Sequence, residues 1–306
     1  MSDPVEPGSG PVDVSVVLPV FNEAGHVVDE VKRIRAGLER SPYRFEIIVV
    51  DDGSTDGSTE QLSALEGVRL IRFRRNRGTG SARRAGTRAA RAPVVVWTDA
   101  DMTYPNEEIP RLVAELEGWD QVVGARTSEQ GTARALRVPA KWFMRKLAGY
   151  LTGTHIPDLN SGFRAFRTSV AEQYLHLLPA GFSCVSTMTL SFLANGYTVK
   201  HIPIEYSIRS GQSKFAWWSD SRRYLTQVVR MVMTYDPLRV LMPPGVVLTL
   251  VGLLKVVFDL VNHPFRIAVD TLLILSAAVQ IIVVALLADL IVRLDRPRHE
   301  VEPADQ

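Results

Sequence analysis

An α/β domain with a mostly parallel sheet and helices on both faces, followed by two transmembrane helices, is the architecture the sequence predicts. Three observations carry it. Residues 12 to 205 alternate short β-rich runs with amphipathic stretches, the pattern of strands joined by crossover helices. Several of those runs end abruptly in acids, as strands do when ligands bind beyond their carboxyl ends. Past residue 236 the chain turns overwhelmingly apolar over two segments, 240–261 and 268–292, each near the ~20 residues needed to cross a bilayer.

The elements follow in order. Residues 1–11 lack the basic start and apolar run of a secretory signal and are expected to form a disordered leader. "VSVVLPV" reads as the first strand and 26–39 as an amphipathic helix. "FEIIVVDD" is the second strand with a helix from Ser58, "VRLIRF" the third with a helix from Gly80, and "VVVWTD" the fourth. A fifth strand leads to Arg126, and the whole domain is expected over 12–215. Residues 216–237 pair Trp217 and Trp218 with basic residues and an apolar face, which suits a juxtamembrane helix. The hairpin is expected over 238–293, with a tail over 294–306. Lys255, Asp259 and Asp289 lie nearer segment ends than middles, where charges are tolerated.

Charge sets orientation and excludes partners. Arg222, Arg223, Arg230 and Arg239 precede the first span and Arg293, Arg296 and Arg298 follow the second, whereas the connection offers Arg266. The positive-inside bias therefore places the domain and both termini in the cytoplasm of an inner or plasma membrane. A net charge of +2 and no basic stripe interleaved with aromatics argue against nucleic acid. A single cysteine, Cys184, rules out an internal disulfide framework.

Acid-bearing strand ends carry the chemistry. Asn22-Glu23, Asp51-Asp52 and Asp99-x-Asp101 all stand where strands should stop, and one cleft would hold all three. Like charges gathered in one place need a cation or ligand to offset them, so the cluster asks for a divalent metal and a polar ligand. "DDGSTDGS" read by itself is equally good turn chemistry.

Six segments in register, "VVLPVFNEAGHV", "IIVVDDGSTDGS", "NRGTGSARRAG", "TDADMTYP", "DLNSGFRAFR" and "IRSGQSKF", resemble the family 2 glycosyltransferases of the GT-A, Rossmann-like fold. Within that family the chain is similar to the polyprenyl-phosphate and dolichyl-phosphate sugar transferases with carboxy-terminal membrane helices. The resemblance implies that Asp99 and Asp101 are catalytic and hold Mg²⁺ or Mn²⁺ against the donor's phosphates. It implies a nucleoside-diphosphate sugar, a UDP- or GDP-hexose, bound by Pro19, Glu23, Asp51, Asp52 and Gly78, with Arg209 and Lys214 in a loop over the pyrophosphate. Arg126 and Arg137 would hold the acceptor phosphate, with Lys141 where the family often has Ser. Thr103 stands where dolichyl-phosphate mannose synthases often have Gln, a possible further metal ligand.

The acceptor expected is a polyprenyl phosphate. A hydroxyl acceptor needs a general base, and "SCVSTMTL", where related enzymes carry a carboxylate, has none. A phosphomonoester is already nucleophilic, its second ionisation lying near pH ~6. Asp158 is the nearby acid that would serve a hydroxyl-directed alternative. A non-catalytic membrane-tethered scaffold is the other alternative, and a homo-oligomer is left open.

Overall fold

The computed structural model describes residues 11–127, 146–147, 149–150, 152–181, 183–207, 233, 235–263 and 266–295. They fall in two compact units, divided between Phe215 and Ala216. The expected leader up to residue 10, nearly all of the juxtamembrane helix and the tail beyond residue 295 lie outside the described residues. So do Arg137, Lys141, Arg209 and Lys214.

The first unit runs β1 (Val14–Val20), α1 (Val27–Glu39), β2 (Phe45–Asp51), α2 (Ser58–Ser63), β3 (Val68–Arg72), α3 (Thr79–Ala89), β4 (Val94–Trp97), a 3₁₀ turn (Asn106–Glu108), α4 (Ile109–Ala114) and β5 (Gln121–Arg126). It continues through β6 (Arg164–Arg167), α5 (Thr168–Tyr174), α6 (Cys184–Ala194) and β7 (Val199–Ile204). The described strands form one sheet in the order β3-β2-β1-β4-β6-β5-β7. All pairings are parallel except those of β6, which runs antiparallel to β4 and β5. Four residues, "RAFR", are too few for periodicity to announce that reversal.

Both faces of the sheet are covered, which is why its central strands read as unbroken apolar runs. Val16, Leu18, Ile47, Val49 and Val96 pack on one face with α1 and α4. Val17, Val95, Trp97 and Phe166 point the other way, toward α5 and α6, while Ile48, Val50 and Ala82 join β2 to α3. Because β1 lies between β2 and β4, the winding reverses direction between β1 and β4. The carboxyl ends of β2, β1 and β4 therefore stand side by side at a topological switch point, where open α/β sheets bind ligands.

The second unit is an antiparallel pair, α7 (Pro237–Asn262) and α8 (Val269–Asp295). Both extend a few residues beyond the segments expected from composition. Asp236 caps α7 by accepting the Arg239 N–H at 3.0 Å, and Pro237 occupies the first turn, where a missing N–H costs nothing. Gly245, Gly252 and Asp259 are the buried positions of α7 past its first residue; Thr271, Ala278 and Ala285 are fully buried on α8. Each set repeats every seven residues, the seam of a left-handed coiled pair, and its small residues let the backbones approach closely. A Cβ on Gly245 would lie 2.7 Å from Ile282, and one on Gly252 2.4 Å from Leu275. Toward the connection, Asp259 accepts the Thr271 hydroxyl at 2.5 Å and the Ala268 N–H at 3.0 Å, and Lys255 lies 3.0 Å from Asp270. Both helices are long and apolar enough to cross a membrane, and only 11% and 22% of their most apolar windows are buried. That exposure is the opposite of a soluble core helix.

Candidate active site

The loops after β1 and β2 are latched to one another. Asn22, at φ 56°, accepts the Thr55 N–H on its Oδ1 at 2.9 Å, and its own N–H donates to Ser54 Oγ at 3.0 Å. The Glu23 N–H donates to Ser58 Oγ and the Ala24 N–H to Asp56 Oδ2, each at 3.0 Å. The Ser, Thr and Asp residues of "DDGSTDGS" thus act as turn chemistry across two loops. They leave Pro19 and Glu23 half-buried beside the switch point.

Asp51 and Asp52 are buried and serve the same scaffold. Asp51 accepts the Ser54 N–H at 2.9 Å and the Thr59 hydroxyl at 2.5 Å, and Arg72 lies 3.8 Å away. Asp52 accepts two backbone donors, Arg77 N–H at 2.7 Å and Gly78 N–H at 2.8 Å. Burial raises the Asp52 pKa above the usual carboxylate value against those two bonds, and the Asp51 charge adds to the rise. Gly78, at φ 90°, makes that approach in a left-handed conformation.

Asp99 and Asp101 follow β4 on the other side of the switch point, both partly exposed. Asp99 Oδ1 accepts from Arg83 Nη2 at 2.6 Å. Arg83 comes from α3 and is 2% exposed; its guanidinium lies over the Trp97 ring at 5.3 Å and reaches Cys184 Sγ at 3.7 Å. Gly162 closes over the pair: a Cβ there would stand 2.6 Å from Arg83 Nη2 and 2.8 Å from Asp99 Oδ2. Its N–H donates to Tyr104 Oη at 2.8 Å. Segments quoted separately from the sequence, "ARR", "TDADMTY" and "NSGF", therefore meet at one carboxylate.

Asp101 is held by its own turn. Its Oδ1 accepts the Thr103 hydroxyl at 2.5 Å, with Met102 between them at φ 61°. Thr103 is buried and acts here by orienting Asp101. Behind this loop, Arg33 of α1 donates to the Tyr104 carbonyl at 3.3 Å and pairs with Glu30 and Glu107. Glu30 is fully buried and accepts from Asn106 Nδ2, while Asn106 Oδ1 accepts from the Thr98 hydroxyl. Burial pushes the Glu30 carboxyl up, Arg33 opposes, and the nearby Asp101 charge contributes to the rise.

Arg126 is locked to Asp158 through two bonds, Nε to Oδ2 at 2.7 Å and Nη2 to Oδ1 at 3.0 Å. Its guanidinium also lies 5.3 Å from the Tyr206 ring centroid. Burial alone would raise the Asp158 carboxyl, but the bonds and charge of Arg126 outweigh it and hold the pKa below the ordinary value. Asp158 is thereby a weak base. Arg164, a residue of the "NSGFRAF" segment, is fully buried on the Ser161 and Val185 carbonyls, and burial with the neighbouring Arg83 charge pushes its pKa down to about 10.

The donor set suits a hard divalent cation shared with a ligand. Asp99 and Asp101 offer carboxylate oxygens at the switch point, and no group of three or more His, Cys, Asp or Glu side chains able to hold a metal exists among the described residues. One or two carboxylates completed by substrate phosphates and water is how Mg²⁺ commonly binds.

The switch point of a mixed α/β sheet, with an Asp-x-Asp pair just past the fourth strand, defines the class: a GT-A-type glycosyltransferase. The comparisons make it specific, since residues 15–175 match glycosyl transferase family 2 and residues 236–294 match the GtrB C-terminal hairpin. The chain belongs to glycosyltransferase family 2, in its polyprenyl-phosphate branch. It is 32% identical to undecaprenyl-phosphate 4-deoxy-4-formamido-L-arabinose transferase of Aeromonas hydrophila, over 78% of this chain and 73% of that protein. The Pseudomonas aeruginosa enzyme of the same name is 34% identical over 82% and 74%. Dodecaprenyl-phosphate galacturonate synthase of Rhizobium johnstonii is 31% identical over 56% and 52%. Among solved structures, glucosyl-3-phosphoglycerate synthase from Mycobacterium tuberculosis in complex with UDP shares the fold, with a TM-score of 0.58 and 20% identity over 72% of this chain and 80% of that one.

Proposed function

We propose that this enzyme transfers a hexose from a nucleoside-diphosphate sugar to a polyprenyl phosphate, with inversion, at the cytoplasmic face of the membrane. The observation that carries the acceptor reading is the Arg126–Asp158 pair: Asp158, the acid that would serve as base for a hydroxyl acceptor, is tied up and weakly basic. α6 carries no acid in its place. A phosphate acceptor needs no base, because its dianion already attacks.

The phosphate oxygen forms the new bond to the anomeric carbon from the face opposite the leaving group. The bond from that carbon to the donor's diphosphate breaks, and its electron pair leaves with the nucleoside diphosphate. Asp101, oriented by Thr103, and Asp99, fixed by Arg83, would hold Mg²⁺ or Mn²⁺. That ion, when bound, supplies Lewis-acid stabilisation of the charge growing on the departing diphosphate. Solved complexes of the mycobacterial neighbour contain UDP with Mn²⁺ or Mg²⁺, which supports the same donor chemistry here. In this reading Pro19 and Glu23 bind the nucleoside above a floor of Asp51, Asp52 and Gly78, and the charges of Arg209 and Lys214 serve the pyrophosphate. In the same reading Arg126 offers Nη1 to the acceptor phosphate, and the charges of Arg137 and Lys141 serve the same anion. Basic residues flanking both apolar helices support a cytoplasmic domain with both termini inside.

A donor panel tests this. Purified full-length enzyme is given labelled UDP- and GDP-hexoses, together with pentose and uronate donors because the relatives' names carry both, and a polyprenyl phosphate with Mg²⁺ or Mn²⁺. The expected product is a sugar phosphodiester cleaved by mild acid. A product stable to mild acid would mean a hydroxyl acceptor, and calorimetry showing no metal-dependent nucleotide binding would leave only a scaffold.

A further inference from the structure

The loop after β3 adjoins the nucleoside floor through the backbone of Arg77 and Gly78, but the side chains of Arg74 and Arg75 have no part in the chemistry above. It is the most strongly basic stretch of the catalytic unit. "RFRRNR", residues 72–77, places four arginines in six positions. Arg74, Arg75 and Arg77 are exposed, and neither Arg74 nor Arg75 makes an ion pair among the described residues. Arg77 lies over the Phe73 ring at 5.4 Å. These cations are presented by a fixed frame. The Asp52 carboxylate accepts the Arg77 and Gly78 N–H groups, the Phe73 N–H donates to the Asp51 carbonyl at 2.8 Å, and Gly53 lies so near that a Cβ there would stand 2.7 Å from the Arg75 carbonyl carbon. A buried carboxylate, partly desolvated, is thus spent on holding the loop's backbone while the guanidiniums face outward. Surface charge that merely solvates a protein mixes signs; a rigid run of one sign calls for an anion.

We propose that Arg74, Arg75 and Arg77 form a membrane-docking surface that seats the carboxyl-end rim of the sheet on anionic lipid headgroups. The inference rests on the reading that the acceptor is a polyprenyl phosphate. The prenyl chain of such an acceptor lies in the bilayer and its phosphate stands at headgroup depth, so the switch-point cleft must open toward the headgroups. The loop leaves the carboxyl end of β3, on the same rim as the cleft. Basic residues near an anionic surface are attracted over about one Debye length, and an aromatic ring beneath a guanidinium suits the interface.

The test uses the full-length protein in nanodiscs of phosphatidylcholine, alone or mixed with phosphatidylglycerol, and the variant R74Q/R75Q, which leaves Arg77 and its bond to Asp52 in place. In wild type, backbone amides of residues 72–77 should exchange hydrogen more slowly in the anionic discs, and high salt should erase the difference. In anionic discs the variant's KM for long-chain polyprenyl phosphate should rise about tenfold, a scale set by the attraction of a few basic residues to such a surface. Its nucleotide affinity, and its turnover in neutral detergent with a short water-soluble acceptor, should match wild type. Equal exchange in both kinds of disc would overturn the proposal, and a loss of nucleotide affinity would reassign the loop to the donor. If wild type transfers to no polyprenyl phosphate, the acceptor reading falls, while the exchange comparison still decides whether the loop docks.

Discussion

Adding one methyl group at Gly162 probes how the site is built. Gly162→Ala would put a carbon 2.6 Å from Arg83 Nη2 and 2.8 Å from Asp99 Oδ2, nearer than side-chain carbons are found to approach. Gly162 is not among the positive-φ residues, so alanine brings no backbone penalty and the effect is steric. Arg83 has nowhere to retreat, being 2% exposed and set against Trp97 and Cys184. The Gly162 backbone is tied to Tyr104. Asp99, with its side chain 30% exposed, is the group that yields, and its 2.6 Å pair with Arg83 opens. Overpacking costs about 1–3 kcal/mol, and the lower end applies because Asp99 can move into water. A catalytic group displaced by ~1 Å loses about 10²-fold in rate. Transfer should therefore fall far more than stability. Initial rates at saturating donor and thermal unfolding, both on detergent-purified enzyme, read the two effects. Gly181→Ala, whose Cβ would meet nothing within 4 Å, is the control and should stay within ~0.5 kcal/mol and keep full activity. Wild-type turnover in Gly162→Ala would refute the argument, since Asp99 would then not need its place.

Asp101→Asn keeps the side chain's volume but removes a unit of charge, so transfer should drop about 10²-fold or more while the unfolding temperature barely moves; near-normal turnover at saturating Mg²⁺ and Mn²⁺ would defeat the metal-site reading. His201 has its pKa depressed to about 4 by burial and then by the Arg164 charge, so the folded state keeps it neutral. Its contribution is present above the unfolded histidine value and is lost as pH falls from ~6.5 to 4, at up to ~1.4 kcal/mol per pH unit. Denaturant titrations of His201→Gln should show a shallower loss across that window, and identical slopes would remove the assignment. In the hairpin, Gly252→Val must displace Leu275, 2.4 Å from the new Cβ, and should cost about 1–3 kcal/mol. Unchanged heat inactivation in detergent would mean that the two helices do not pack through this seam.

The parallel core was legible because its strands are buried on both faces, so "VSVVLPV", "FEIIVVD" and "VVVW" stand out as runs between helical stretches. β6 was not, because four residues between turns show neither direction nor partner. The same division holds in the site. Asp99 and Asp101 announce themselves as acids at the end of an apolar strand. Arg83 does not, because an arginine directly after an alanine on a helix looks like any solvated side chain, and its burial depends on Trp97 from a strand of the sheet. Gly162 is unremarkable in sequence for the same reason, since its neighbours Arg83 and Asp99 are distant along the chain. Asp51 and Asp52 show the limit from the other side. Their acids were visible, but sequence could not reveal that backbone and hydroxyl donors already occupy their oxygens.

The seven-residue seam of the hairpin restricts how such a protein changes length. Inserting one residue in either helix turns everything beyond it by about 100°, carrying Gly252 or Ala278 out to lipid and a bulky neighbour in. Only a whole heptad restores the register, and that lengthens a helix by about 10 Å. Natural bilayers differ in thickness by only a few ångströms. A lineage moving between membranes would therefore tilt this hairpin or rewrite its flanks rather than extend it. Length differences among relatives are expected to gather in the connection around residues 263–268 and beyond the helix ends, leaving the distance from Gly245 to Asp259 unchanged.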